Sequence, residues 1–218
     1  MLPFQNPHRV YCAGPLFNPA ERRQMVEIAD ALAREGFEPW VPHRDGMEFA
    51  EVHPYLIDQG FDATTIGQLL HEAVFALDVY QVVLGCGALV ANLNGRVPDE
   101  GTVSETAMAY ILGKPIVLFH EDVRSMISGR HNPLVVGLTG FETVRDVDQL
   151  GPALRARIAE LQPQCDHQYP CPPHLAAPLA RGEKLWAELS KMGDERPCAA
   201  VSETILELFH SETVVEPK

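Results

Sequence analysis

Glu105 is the side chain whose surroundings in sequence are most suited to chemistry. It ends the run Asn92-Leu93-Asn94-Gly95-Arg96-Val97-Pro98-Asp99-Glu100-Gly101-Thr102-Val103-Ser104-Glu105. The glycine and proline mark a turn, and Gly101 and Thr102 open a helix whose first amides are free and whose dipole favours negative charge. A carboxylate one turn into such a helix stays ionised, as a nucleophile must. Asp99 lies six residues earlier, in the turn. A second run, Tyr11-Cys12-Ala13-Gly14-Pro15-Leu16-Phe17, leaves what reads as a neighbouring strand end. Several ionisable groups facing one cleft make a candidate site. The competing reading is a capping box, in which Thr102 or Gly101 caps the helix and Glu105 reaches back to the free amides. Tyr11, taken alone, reads as a core tyrosine with a satisfied hydroxyl.

The elements that must position these groups follow from pattern. Arg9 to Ala13 is a short β-prone run ending at Gly14-Pro15. Asn18 is a good N-cap and Pro19 suits the first helical position. Met25, Ile28, Ala29, Leu32 and Ala33 then recur at helical spacing, and Gly36 ends the helix. Strands are expected at Phe37 to Val41, Ala88 to Leu93, Pro115 to Phe119 and Phe141 to Val144. Helices are expected from Ala63 to Gln81, marked by Ile66, Leu69, Leu70, Ala73 and Leu77, and from Gly101 to Leu112. Pro42 to Gly60 is polar, turn-rich and without clear period, and reads as a long loop, functional or mobile. Alternating strands and helices imply βαβ units. The expected fold is a doubly wound α/β domain, Rossmann- or flavodoxin-like, with a mostly parallel five-stranded sheet and helices on both faces. Ligands in such sheets bind beyond the carboxyl ends of the strands, where the Tyr11 and Asp99 loops emerge.

Composition narrows the function classes. The chain has 218 residues, 46% of them hydrophobic, enough for one sizeable core. Composition changes beyond Leu161: Gln162 to Pro178 holds five prolines, and two helices are expected near Leu179 to Lys191 and Ala199 to His210. Residues 1–161 are therefore read as the α/β domain and 162–218 as a helical appendage packed on it. A net charge of −13 argues against a nucleic-acid or anionic-membrane partner, while leaving small nucleosides open. There is no signal-peptide pattern and no apolar run long enough to span a bilayer. Five sparse cysteines argue against a disulfide framework, so a cytoplasmic protein is expected. Cys165, His167, Cys171 and His174 are metal-capable types, but their spacing is not a zinc-finger or ribbon pattern. No metal and no cofactor are expected.

The two motif runs resemble the nucleoside 2-deoxyribosyltransferases. Tyr11 to Phe17 is similar to that family's opening strand and loop. Asp99 to Glu105, followed by Ala107, Ala109 and Gly113-Lys114-Pro115, is similar to its nucleophile helix. The resemblance covers about residues 8–145. It implies that Glu105 takes C1' of the sugar, that Tyr11 orients this carboxylate, and that Asp99 holds a sugar hydroxyl. It implies that Asp78 meets the base and helps protonate the leaving nitrogen, that Phe17 packs on the base, and that Gly14 belongs to the substrate loop. Asn132, in Gly129-Arg130-His131-Asn132-Pro133, resembles a residue lent by a neighbouring subunit, which implies a homo-oligomer with shared sites.

Each role has a structural counterpart. Asp78 could be a polar helix-end residue, Phe17 a hydrophobic staple, and Asn132 a turn residue. There are departures too. Arg96 has no assignment, Cys86-Gly87 stand where an aspartate is expected, and the loop holding His43, Arg44 and Asp45 has no match, although it is expected to help form the base pocket. The implied reaction is retaining transfer of 2-deoxyribose between nucleobases through a glycosyl-Glu105 intermediate. Three alternatives remain. A deoxynucleoside-monophosphate glycosidase needs a phosphate cradle, for which Ser104, Ser128 and Arg130 are the available residues. A phosphoribohydrolase of the cytokinin-activating type would have two glycines where Asp99 and Glu100 stand. A nucleotide-binding sensor would bind without turnover.

Overall fold

The computed structural model describes residues 6–47, 49–95, 97–122, 132–161, 171–191 and 198–210. In chain order the elements are β1 (Arg9–Ala13), α1 (Pro19–Arg34), β2 (Glu38–Trp40), α2 (Pro42–Asp45), α3 (Phe49–Asp58), α4 (Ala63–Tyr80), β3 (Ala88–Asn92), α5 (Glu100–Ile111), β4 (Ile116–Phe119), α6 (Pro133–Val136), α7 (Leu150–Leu161), α8 (Ala176–Leu189) and α9 (Cys198–Phe209). They fall into two compact units, Met1–Pro42 with Val82–Pro170, and His43–Gln81 with Cys171–Lys218. The grouping differs from a boundary at residues 161/162, because residues 43–81 cluster with the C-terminal segment.

The first unit is built on a parallel sheet in the order β2-β1-β3-β4. Side chains alternate between its two faces. Val10, Cys12, Ala88, Val90, Val117 and Phe119 share one core with Met25, Ile28, Ala29 and Leu32 of α1 and Leu150, Leu154 and Ile158 of α7. Register aligns Tyr11 with Trp40 and Leu89, and Leu89 with Ile116, on the other face. There α5 packs across β1, β3 and β4, burying Thr102, Thr106 and Ala109. Helices thus cover both faces, as a parallel sheet requires.

Among the described residues the sheet has four strands, not five. At the expected fifth strand, Gly140 and Phe141 both turn left-handed, with φ of 67° and 71°. An extended strand cannot pass through that conformation. Only Val144 reaches the edge of β4, donating to Leu118 O at 2.8 Å and accepting from His120 N at 2.8 Å.

One further expectation is corrected. Pro42 to Gly60 is largely helical: Val52 and Leu56, one turn apart, are buried on one side of α3, which tolerates Pro54. Helix α7 was not anticipated from the sequence; its Pro152 lies in the first turn, where its missing N–H is harmless. After α4 the chain makes a π-helical turn, Gln81–Gly85. Lys114 fastens that turn, donating from Nζ to Val83 O (3.0 Å) and Cys86 O (2.5 Å). Burial pushes its ammonium down to about 8, with Cys86 opposing the shift. Lys114 precedes β4, at the amino end of the sheet, so the Gly113-Lys114-Pro115 run is structural.

The second unit is helical. Within it α4 packs on α8 and α9, α3 on α4 and α9, and α8 on α9. Arg181 lies over the Phe209 ring at 5.1 Å.

Candidate active site

The site is assembled at the carboxyl ends of β1 and β3. Tyr11 is the third residue of β1 and fully buried. Its hydroxyl donates to Glu105 Oε1 at 2.6 Å. That length belongs to a charge-assisted O–H···O⁻ bond. Tyr11 is thus a core tyrosine whose hydroxyl is satisfied by Glu105. Trp40 packs against the Tyr11 ring with centroids 5.0 Å apart and a 33° tilt. Its indole is 2% exposed, and its N–H has no acceptor among the described residues. Nothing in the sequence singled out Trp40; only the β1–β2 register brings it beside Tyr11.

Helix α5 begins earlier than expected. Its N-cap is Asp99, whose Oδ2 accepts from Thr102 N (2.7 Å) and Thr102 Oγ1 (2.8 Å). Neither Gly101 nor Thr102 is the cap, and the Thr102–Glu105 capping box is not the arrangement formed. Glu105 becomes the sixth helical residue, beyond the first turn where the dipole acts. Its half-buried carboxylate is held by Tyr11. Asp99 is also half-buried, and its Oδ1 carries no hydrogen bond among the described residues.

A capping box does form at α1. Asn18 Oδ1 accepts from Ala20 N and Glu21 N, both at 3.0 Å, while Glu21 Oε2 accepts from Asn18 N at 3.2 Å and Phe17 N at 2.8 Å. The box fixes the end of the first loop. The Phe17 ring is 83% exposed, so it is not a staple packed on the helix. Gly14 has no room for a side chain: a methyl there would collide with Met25 Sδ and lie 3.1 Å from Asn92 Cβ.

Behind the loops runs a polar network that sequence reasoning missed. Buried Asn92 donates to Gln24 Oε1 (2.9 Å) and accepts from Asn94 N (3.0 Å). Asn94 Oδ1 accepts from Glu121 N and Asp122 N, both at 3.0 Å, and Gln24 donates to Glu121 Oε1 at 2.8 Å. The ends of β3 and β4 are thereby tied to α1. The available signal was a pair of asparagines closing an otherwise apolar strand.

The other expected residues stand as follows. Asp78 belongs to the second unit, in the last turn of α4. Desolvation raises its carboxyl from the ordinary carboxylate range to about 7, although the residue keeps some exposed surface. Asn132 is exposed and caps α6, its Oδ1 accepting from Leu134 N at 2.9 Å. Its neighbours Gly129 to His131 lie outside the described residues, as do Arg96, Ser128, Cys165 and His167. His174 is exposed and Cys171 half-buried. Among the described residues, no group of three or more His, Cys, Asp or Glu is placed to hold a metal. No described helix is long and apolar enough to cross a membrane.

The crystal structure of a conserved protein from Enterococcus faecalis V583 is similar to this chain with a TM-score of 0.48 and 20% identity, covering 68% of this chain and 98% of that one. No curated protein matches the chain. The sequence model of the Nucleoside 2-deoxyribosyltransferase family matches residues 10–151, a span that takes in both loops and the Glu105 helix, and the chain belongs to that family.

Proposed function

We propose that this protein transfers 2-deoxyribose between nucleobases, with Glu105 as the nucleophile. The observation that carries this reading is the 2.6 Å hydrogen bond from Tyr11 to Glu105. It aims an ionised carboxylate from the carboxyl end of a parallel sheet, where such sheets bind ligands. In the first displacement a Glu105 oxygen bonds to C1' and the C1'–N bond breaks, its electron pair leaving with the base. Asp78 supplies the proton that the departing nitrogen takes up. In the second, a nitrogen of the incoming base bonds to C1', Glu105 is released, and the proton returns to Asp78. Two inversions give net retention, as in retaining glycosidases. The missing 2'-oxygen eases the oxocarbenium-like transition state, because an electron-withdrawing group beside C1' would destabilise the cation.

Asp99 is proposed to grip a sugar hydroxyl through Oδ1, since Oδ2 is committed to the helix cap. Phe17 offers an exposed ring to a base, and Gly14 leaves the substrate loop close against Met25. Asn132 is proposed to serve a neighbouring subunit's site. The test is incubation with deoxyinosine and adenine, and with deoxyinosine alone, followed by chromatography. Deoxyadenosine appearing only with adenine supports transfer. Hypoxanthine released at the same rate with or without adenine, and no deoxyadenosine, makes the protein a hydrolase. Binding without base release makes it a sensor.

A further inference from the structure

Helix α8 lies beyond residues 10–151, the span matched by the family. It packs against α4, the helix that carries Asp78, and buries Leu179, Gly182, Leu185 and Leu189 along one face. The approach is closest at Gly182. A methyl built on Gly182 would overlap Ala76 O, and would stand 2.5 Å from Tyr80 Cβ and 2.9 Å from Ala76 C. The obstacle is therefore α4 backbone, which cannot rotate out of the way as a side-chain tip can. A glycine in mid-helix is otherwise a conformational cost, so its use here is close approach.

Ala76 and Tyr80 are one turn apart and share a face. Asp78 lies two residues from each, about 200° around the axis, on the opposite side of α4. Any displacement of α4 away from α8 is thus along the direction in which Asp78 projects. We propose that α8 braces the Asp78 helix on the side opposite Asp78, with Gly182 as the positioning residue that sets where α4 holds Asp78. The proposal rests on the role given to Asp78 above and extends it to a segment outside the family-matched span.

The test uses the full chain and two donors at saturation, without acceptor, and reads the first-turnover rate of base release, because the second displacement returns a proton to Asp78 whichever donor was used. Deoxyinosine needs a proton on its departing base. N7-methyl-2'-deoxyguanosine does not, because its base already carries the positive charge and departs neutral. Gly182→Ala is expected to lower that rate on deoxyinosine by about tenfold or more, since misplacing a reacting group by about 1 Å is costly. On the methylated donor it is expected to lose less than about twofold, with the half-saturating donor concentration little changed on either. In an Asp78→Asn background, Gly182→Ala is expected to cost less than about a further twofold on deoxyinosine. Equal losses on the two donors, or a full additional loss in the Asp78→Asn background, overturn the brace. If Gly182→Ala fails to fold by circular dichroism, Leu185→Val replaces it. Leu185 is buried three residues on, and its shortening loosens the same contact without overlap, so the same donor-dependent pattern is required. A wild-type protein that releases base from neither donor overturns the Asp78 role and the brace together. An active wild type whose variants lose equally on both donors overturns the brace alone.

Discussion

At the scale of single residues, the two carboxyl groups given roles in the proposal differ in their surroundings. Glu105 is anchored by a phenol that donates to its charge. Glu105→Ala is expected to lower kcat by roughly 10³-fold or more while leaving the unfolding midpoint within a few degrees of wild type, because the side chain is only half-buried. Retention of more than about a tenth of kcat, a loss under about 1.4 kcal/mol, removes Glu105 from the nucleophile's role. Asp78 is the opposite case: burial disfavours its charged form and raises its carboxyl to about 7. Folding therefore favours the protonated acid. The stability this confers is whole below the unfolded value near 3.8 and is lost as pH rises from there through about 7. If the acid form feeds the departing base, kcat on deoxyinosine falls over the upper part of the same window. Asp78→Asn is expected to remove both dependences, read by denaturant titration and by kcat across pH. A high-pH fall in kcat that persists in Asp78→Asn assigns the proton to another group.

Elements decide which residues can act, and here sequence was uneven as a guide. The strands β1 to β4, α1 with its Asn18 cap, α4 and α5 were legible because apolar period and capping chemistry agree. The Tyr11–Glu105 pair was legible through its motifs. Its Trp40 neighbour was not, since cross-strand partners depend on register, which no local pattern records. The fifth strand failed for a conformational reason confined to Gly140 and Phe141, and α7 was not anticipated at all. Asp99 was read as a ligand for sugar when it is first of all the cap of α5. Its two possible functions separate by substitution. Asparagine caps as well as aspartate, whereas alanine does not, at a cost of about 1 kcal/mol. Asp99→Asn is expected to keep wild-type stability and lower kcat/KM by roughly 1.5–3 kcal/mol, the value of a hydrogen bond to a charged group. Asp99→Ala is expected to lose both. Denaturant melts set beside kinetics decide it: a normal kcat/KM in Asp99→Asn would leave the residue as a cap only.

For the whole molecule, the proposed use of Asn132 makes assembly part of catalysis. The first unit exposes large apolar side chains at Tyr110 and Ile111 of α5, Leu134 of α6 and Phe141. The turn at Gly137–Thr139, which joins α6 to Phe141, packs on α5, so these residues belong to neighbouring elements. Exposed apolar groups grouped in this way mark association surfaces. A homo-oligomer built from two-fold dimers is the simplest closed arrangement. Sedimentation at micromolar protein is expected to show it, and a monomer removes any role for a shared site. Subunit mixing then tests Asn132 directly. Glu105→Ala lacks the nucleophile, and Asn132→Ala lacks the residue proposed to be lent. In a dimer of one of each, one site carries both substitutions and the other carries neither. Random exchange of equal amounts makes about half the dimers mixed, so about a quarter of all sites are native and about a quarter of wild-type activity returns. Asn132→Ala also deletes the cap of α6, a loss within the subunit that mixing cannot repair. Recovery to about a quarter therefore places Asn132 in the neighbour's site. If proven subunit exchange brings no recovery from two inactive parents, the residue acts only on its own chain, as the cap of α6 or within its own subunit's site.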